Sequence, residues 1–170
     1  FLFDLPELKF PERLNCATEL LDRHVAEGRG DRTCILATGV KWTYAELQEK
    51  ANRIAHVLVR DMGLVPGNRV LLRAPNNPML AACWFAVMKA GGIAVATMPL
   101  LRAKELKAIA EIGRVTHALC DTALAEEMAL AVGQLPELTQ VRYFNTDAAD
   151  GLEAAMAQAP AHFDNVDTAS

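Results

Sequence analysis

A chain of 170 residues can bury one full core, so a single domain is expected. With 52% hydrophobic and 22% charged residues the composition is globular and excludes a disordered polymer. A net charge of −4, with basic residues dispersed along the chain, excludes a nucleic-acid footprint, so no nucleic-acid partner is expected.

Residues 1–14, with Pro6 and Pro11, read as an irregular leading segment, and the first residue is Phe1 rather than Met. The numbered chain is therefore expected to begin within a longer one. Asn15 can cap a helix whose apolar positions Ala17, Leu20, Leu21, His24 and Val25 recur at helical spacing and stop before Gly28. Thr33 to Ala37 and Lys41 to Thr43, joined through Thr38-Gly39, read as a small β-hairpin. Thr43 and Glu46 then form a capping box, and Leu47, Ala51, Ile54, Ala55, Leu58 and Val59 make one apolar stripe along the helix that follows.

After the punctuation of Gly63 to Asn68, Arg69 to Arg73 reads as a strand, and Asn76 or Asn77 with Pro78 opens the next helix. Met79 to Leu101 is then apolar over its whole length apart from Lys89. Its length admits a membrane span, but Lys89 beside Gly91-Gly92 argues for a helix, a left-handed Gly-Gly stop and a strand Ile93 to Thr97 buried on both faces. No membrane partner is expected. Arg102 to Ile112 reads as a helix, His117 to Cys120 as a strand, Ala123 to Val132 as a helix, Thr139 to Phe144 as a strand and Gly151 to Ala159 as a helix, with a polar tail over 160–170. This alternation predicts an α/β fold: a parallel-sheet, layered αβα subdomain with a small N-terminal β-hairpin, and no boundary before Asp147.

The residues offer little chemistry of their own. Neither GxxxxGK[ST] nor GxGxxG is present, and Gly91-Gly92 closes a helix, where the dipole disfavours phosphate. His24, His56, His117 and His162 lie in different elements without metal-ligand spacing, so no metal site is expected, and His117 reads as a satisfied core or edge histidine. Ser170 is the sole serine. Cys16, Cys34, Cys83 and Cys120 lie apart without a CxxC pair and fit buried free thiols in a reducing, cytoplasmic compartment. Glu126-Glu127 reads as a solvated face.

Two ordered motifs carry a resemblance. Met88-Lys89-Ala90-Gly91-Gly92-Ile93-Ala94-Val95 followed by Pro99 resembles the "LKAGGxxVPL" core of the adenylate-forming (AMP-binding) superfamily of acyl-CoA synthetases, luciferases and peptide-synthetase adenylation domains. Trp42-Thr43-Tyr44-Ala45-Glu46-Leu47 resembles the same superfamily's "(L/W)TYxEL" signature. The leader from Phe10 to Leu21 is most similar to aryl-CoA ligases of the benzoate and 2-aminobenzoate kind.

The resemblance covers only the N-terminal portion of the family's catalytic chain. It implies a fragment of an ATP-dependent carboxylate-CoA ligase that uses ATP, Mg2+ and CoA when complete, with none of them expected on this chain alone. The phosphate loop and catalytic lysine of such enzymes come later than Ser170, so no catalytic residue is expected here. In similar ligases the joint after the strand at 93–97 lies near the CoA nucleotide, and some carry an arginine aligned with Leu100. Here the arginine is Arg102, so Leu100 and Arg102 are the CoA-side candidates, against a plain reading of Arg102 as a solvated helix-start residue. The implied partners are the remainder of the chain and a small carboxylic acid. Self-association through exposed apolar surface is expected of the isolated piece. A peptide-synthetase adenylation fragment and a non-catalytic α/β scaffold are the alternatives.

Overall fold

The computed structural model describes residues 10–169. Local backbone chemistry accounts for most of the element boundaries. Asn15 Oδ1 accepts the Ala17 amide at 3.0 Å and starts a helical segment that contains π-helical turns at Thr18–Asp22 and Val25–Arg29. Strands β1 (Thr33–Ala37) and β2 (Val40–Thr43) form the expected antiparallel hairpin through Thr38-Gly39. Both halves of the capping box at helix α1 (Tyr44–His56) are present: the Glu46 amide donates to Thr43 Oγ1 at 3.2 Å and the Thr43 amide to Glu46 Oε2 at 2.7 Å. Leu47, Ala51, Ile54, Ala55 and Leu58 are buried as the stripe requires. Val59 is 41% exposed and does not belong to it, because a further π-helical turn at Val57–Asp61 rotates the register.

Strand β3 (Arg69–Arg73) leads to α2 (Pro78–Lys89), capped by Asn77, whose Oδ1 accepts the Leu80 amide at 3.0 Å. Gly91, at φ +71°, closes α2: its amide bonds Met88 and the Gly92 amide bonds Val87, the two bonds of a Schellman motif. Strand β4 (Ile93–Thr97), α3 (Ala103–Gly113), β5 (Val115–Asp121), α4 (Ala125–Val132), β6 (Gln140–Phe144) and α5 (Leu152–Ala157) follow.

The four strands β3 to β6 are parallel, in the order β4-β3-β5-β6. Val70, Leu72, Leu119 and Phe144 pack towards α1, α2 and α5, whereas Leu71, Ala118 and Cys120 pack towards α3 and α4. The expected αβα layering follows from these alternating faces. A bulge at the start of β5, where Arg69 pairs with Val115 but Val70 with His117, turns Val115 to the α3–α4 side and His117 to the other.

One expectation is corrected. Strand β4 is not buried on both faces: it is an edge strand among the described residues, and Ile93 is exposed. Over 161–169 the polar tail is held against the rest of the chain. Asn52 and His56 bond the carbonyls of Ala161 and His162, Asn15 bonds that of Val166, and Arg13 bridges to Ala169. Lys89 stands in the last turn of α2 as expected, and it is also buried and ion-paired with Asp22. The expectations on residues 1–9 lie outside the described residues.

Candidate functional site

Chain order sets where a ligand could sit. From β3 the chain moves to one side, through α2 to β4, then returns through α3 to β5 on the other side. The direction therefore reverses between β3 and β5, and the crevice at their C-terminal ends is the switch point at which open α/β sheets bind ligands.

Asp121 ends β5 in that crevice and is buried. Its Oδ2 accepts Nδ2 of Asn77 at 2.8 Å and Nδ2 of Asn145 at 2.6 Å, and its Oδ1 accepts the Ala123 amide at 2.9 Å. Asn145 holds a left-handed φ of 57°, and its own amide donates to Glu153 at 2.7 Å. One carboxylate thus ties the ends of β5 and β6 to the start of α2. With donors on both oxygens it is a clamp rather than a general base.

Arg73 ends β3 and is 1% exposed. Its guanidinium donates to the carbonyls of Met98 and Pro99, each at 3.3 Å, and of Leu101 at 2.8 Å, so it sets the path of the β4–α3 joint. On that path Leu100 projects outward, 83% exposed, and Arg102 enters α3. Arg102 is not simply solvated: it donates to Glu127 Oε1 at 2.7 Å, while Glu127 Oε2 accepts the Ala103 amide at 2.7 Å. The Arg102 guanidinium and the Ala103 amide hold the Glu127 carboxyl below the usual carboxylate range. The expectation that Glu127 is a solvated face is corrected by these contacts. A cavity of about 200 Å³ opens here between Arg73, Leu100, Arg102, Glu126 and Glu127.

A second, apolar groove of about 600 Å³ runs from the ends of β3 and β4 to the hairpin, lined by Ile35, Leu36, Leu72, Leu80, Trp84 and Ala96 among others. It has the size and lining of a small-molecule or segment-binding surface.

The remaining groups have local explanations. His117 is buried, with Nε2 3.0 Å from the Met62 carbonyl and Nδ1 2.7 Å from Thr116 Oγ1, and burial lowers its pKa. Cys83 and Cys120 are buried, and desolvation raises both thiols, Cys120 to about 12. Cys16 is exposed, against the expectation of four buried thiols. Among the described residues no group of three or more His, Cys, Asp and Glu side chains could hold a metal ion. No helix among the described residues is long and apolar enough to cross a membrane.

The structure brings Leu100 and Arg102 to one cavity. Sequence reasoning missed Arg73 and Glu127 in its lining, and Asp121 with Asn145 at the neighbouring strand ends. Asp121 ahead of Thr122, at the end of an apolar strand, was the available signal, since a carboxylate there caps the following turn.

Residues 22–168 match the family model described as AMP-binding enzyme. A benzoate–CoA ligase of Thauera aromatica is 26% identical over 163 residues, 96% of this chain and 31% of that protein. A salicyl-AMP ligase / salicyl-S-ArCP synthetase of Mycobacterium tuberculosis is 42% identical over 74 residues, 44% of this chain and 13% of that protein. Among solved structures, the anthranilate CoA ligase AuaEII in complex with anthranoyl-AMP superposes with a TM-score of 0.85 at 19% identity, covering 94% of this chain and 30% of that one. That likeness shows the fold. The chain spans about a third or less of the length of these relatives.

Proposed function

The chain belongs to the AMP-binding enzyme family, and from that premise we propose that it is the N-terminal portion of an ATP-dependent carboxylate-CoA ligase acting on an aromatic acid. The complete reaction joins acid, ATP and CoA into acyl-CoA, AMP and pyrophosphate through an acyl-adenylate. The observation that carries the reading is the similarity to a benzoate–CoA ligase, which runs along nearly the whole of this chain.

Residues 1–170 stand in this reading as one portion of the synthetase domain, with 160–170 leading towards the phosphate loop. They supply scaffold: Arg73 and Asp121 shape the sheet edge, and Leu100 and Arg102 face the CoA side. ATP, Mg2+ and the acid are held by later residues, so the chain alone is silent. The remainder of the chain is its first partner. The free cysteines support a reducing, cytoplasmic location.

An ATP–pyrophosphate exchange assay tests the proposal. The 170-residue chain should exchange no label with benzoate, 2-aminobenzoate or fatty acids, and the gene read beyond Ser170 should encode a Ser/Thr/Gly-rich phosphate loop that restores exchange with aromatic acids. Turnover by the short chain, or a stop codon at its end, overturns it.

The salicyl-AMP ligase relative favours a second reading, in which the acyl group passes to a carrier protein. Offering the extended enzyme CoA and a phosphopantetheinylated carrier in parallel separates the two acceptors.

A further inference from the structure

We propose that Glu127 is a resident counter-ion filling an anion position at the β4–α3 joint, and that this position takes inorganic phosphate or a phosphomonoester once the carboxylate is removed. Three positive elements meet there. Arg102 reaches in from the joint, the eleven-residue helix α3 presents its N-terminus, and Arg73 lines the cavity from below. Arg73 is the independent sign of an anion position. It is 1% exposed, its hydrogen-bond partners among the described residues are all backbone carbonyls, and its Nε has no partner. A buried guanidinium matched only by neutral acceptors calls for a negative charge close by.

Glu127 supplies that charge from within the chain. Its two oxygens engage a guanidinium N–H and a helix-start amide, each at 2.7 Å, the pair of contacts a phosphate makes at such a corner. Glu105 takes the Arg102 amide at 2.9 Å, and Glu126 lines the cavity rim, so the corner holds three carboxylates in all. Of these only Glu127 bonds both the arginine side chain and the helix amide. A ligand anion must displace it. Glu127 therefore sets anion affinity at this corner, and if the corner is the CoA side, which rests on the reading above, it sets affinity for the nucleotide's phosphate.

The test is a titration of the protein, Glu127→Gln, and Glu127→Gln combined with Arg102→Gln with inorganic phosphate at low salt, followed by amide NMR shifts and calorimetry. Glutamine keeps an acceptor for the Ala103 amide. Glu127→Ala serves as a second variant, and circular dichroism checks each fold. Glu127→Gln is expected to bind phosphate at least tenfold more tightly than the unsubstituted protein, with shifts at Arg102 and Ala103, and Arg102→Gln should abolish the gain. No gain in either Glu127 variant, or a gain that survives loss of Arg102, overturns the proposal. A parallel titration with adenosine 3′,5′-bisphosphate keeps the two readings apart. A phosphate gain with no preference for the bisphosphate supports the counter-ion role and counts against the CoA-side reading alone.

Discussion

Lys89 Nζ lies 2.6 Å from each carboxylate oxygen of Asp22, in a position where the lysine is 1% exposed. Asn165 completes the clasp, donating to Asp22 at 2.6 Å and to Thr18 at 2.8 Å, and the Val166 amide bonds the Lys89 carbonyl at 2.8 Å. The lysine of the Lys-Ala-Gly-Gly stretch thus joins the N-terminal helical segment, the end of α2 and the 161–169 segment. Asp22 is half-buried and keeps donors from Gln48 and Asn165, so losing Lys89 costs about 1.5–3 kcal/mol, the range for a hydrogen bond to a charged group. Lys89→Met should lower the urea unfolding free energy by about that much, and Lys89→Met with Asp22→Leu should recover a substantial part. A double-variant loss equal to the sum of the Lys89→Met and Asp22→Leu losses would show the pair to be uncoupled.

Asp121 is the hub of the sheet's C-terminal edge, and its replacement leaves side-chain amides of Asn77 and Asn145 without their acceptor. Asp121→Ala should destabilise by roughly 3 kcal/mol, since hydrogen bonds to a charged group contribute about 1.5–3 kcal/mol each and are not additive. Amide exchange should quicken first at the ends of β5 and β6.

Gly91→Ala combines two penalties. The left-handed conformation costs an L-residue about 1–2 kcal/mol, and the added Cβ would stand 2.9 Å from Val166 Cγ1. The variant should melt lower and be cut more readily by protease within 161–169, because Val166 must move to admit the methyl group.

His117 predicts a pH dependence. Burial holds its folded pKa below the ordinary 6.5, so the folded protein favours the neutral ring. The contribution is fully present above pH 6.5 and is lost as pH falls through the lower folded value. The urea midpoint should therefore drop on acidification from pH 7 towards 5, and His117→Gln should flatten that slope, whatever carboxylates add further down.

The apolar groove beside the hairpin is open, and Leu36 on its rim is 78% exposed. The isolated chain should bind a hydrophobic dye and show concentration-dependent light scattering, and Leu36→Lys should reduce both. A clean monomer without dye binding at high concentration would contradict the self-association expected of it.

Much of the element order was legible in the residues because its signals act over a few positions. Thr43 with Glu46, Asn77 with Pro78, and the Gly91-Gly92 stop each satisfy or release backbone groups within one helical turn, and each is found in the structure. Val59 and Ile93 misled because apolar character marks burial only when a partner layer covers the position, and here neither is covered.

The candidate site was legible only in outline. Leu100 and Arg102 could be placed at a strand end, but Glu127, 25 positions from Arg102, could not be paired with it from the pattern. Local hydrogen-bonding and steric preferences wrote the strands, helices and turns into the sequence, and two motifs pointed to the family. Only the tertiary structure decided that β4 is an edge, that Asn77 and Asn145 meet at Asp121, and that Lys89 finds Asp22 across 67 positions. A buried charge is satisfied by whichever segment the chain's return path brings beside it, and no local rule contains that path.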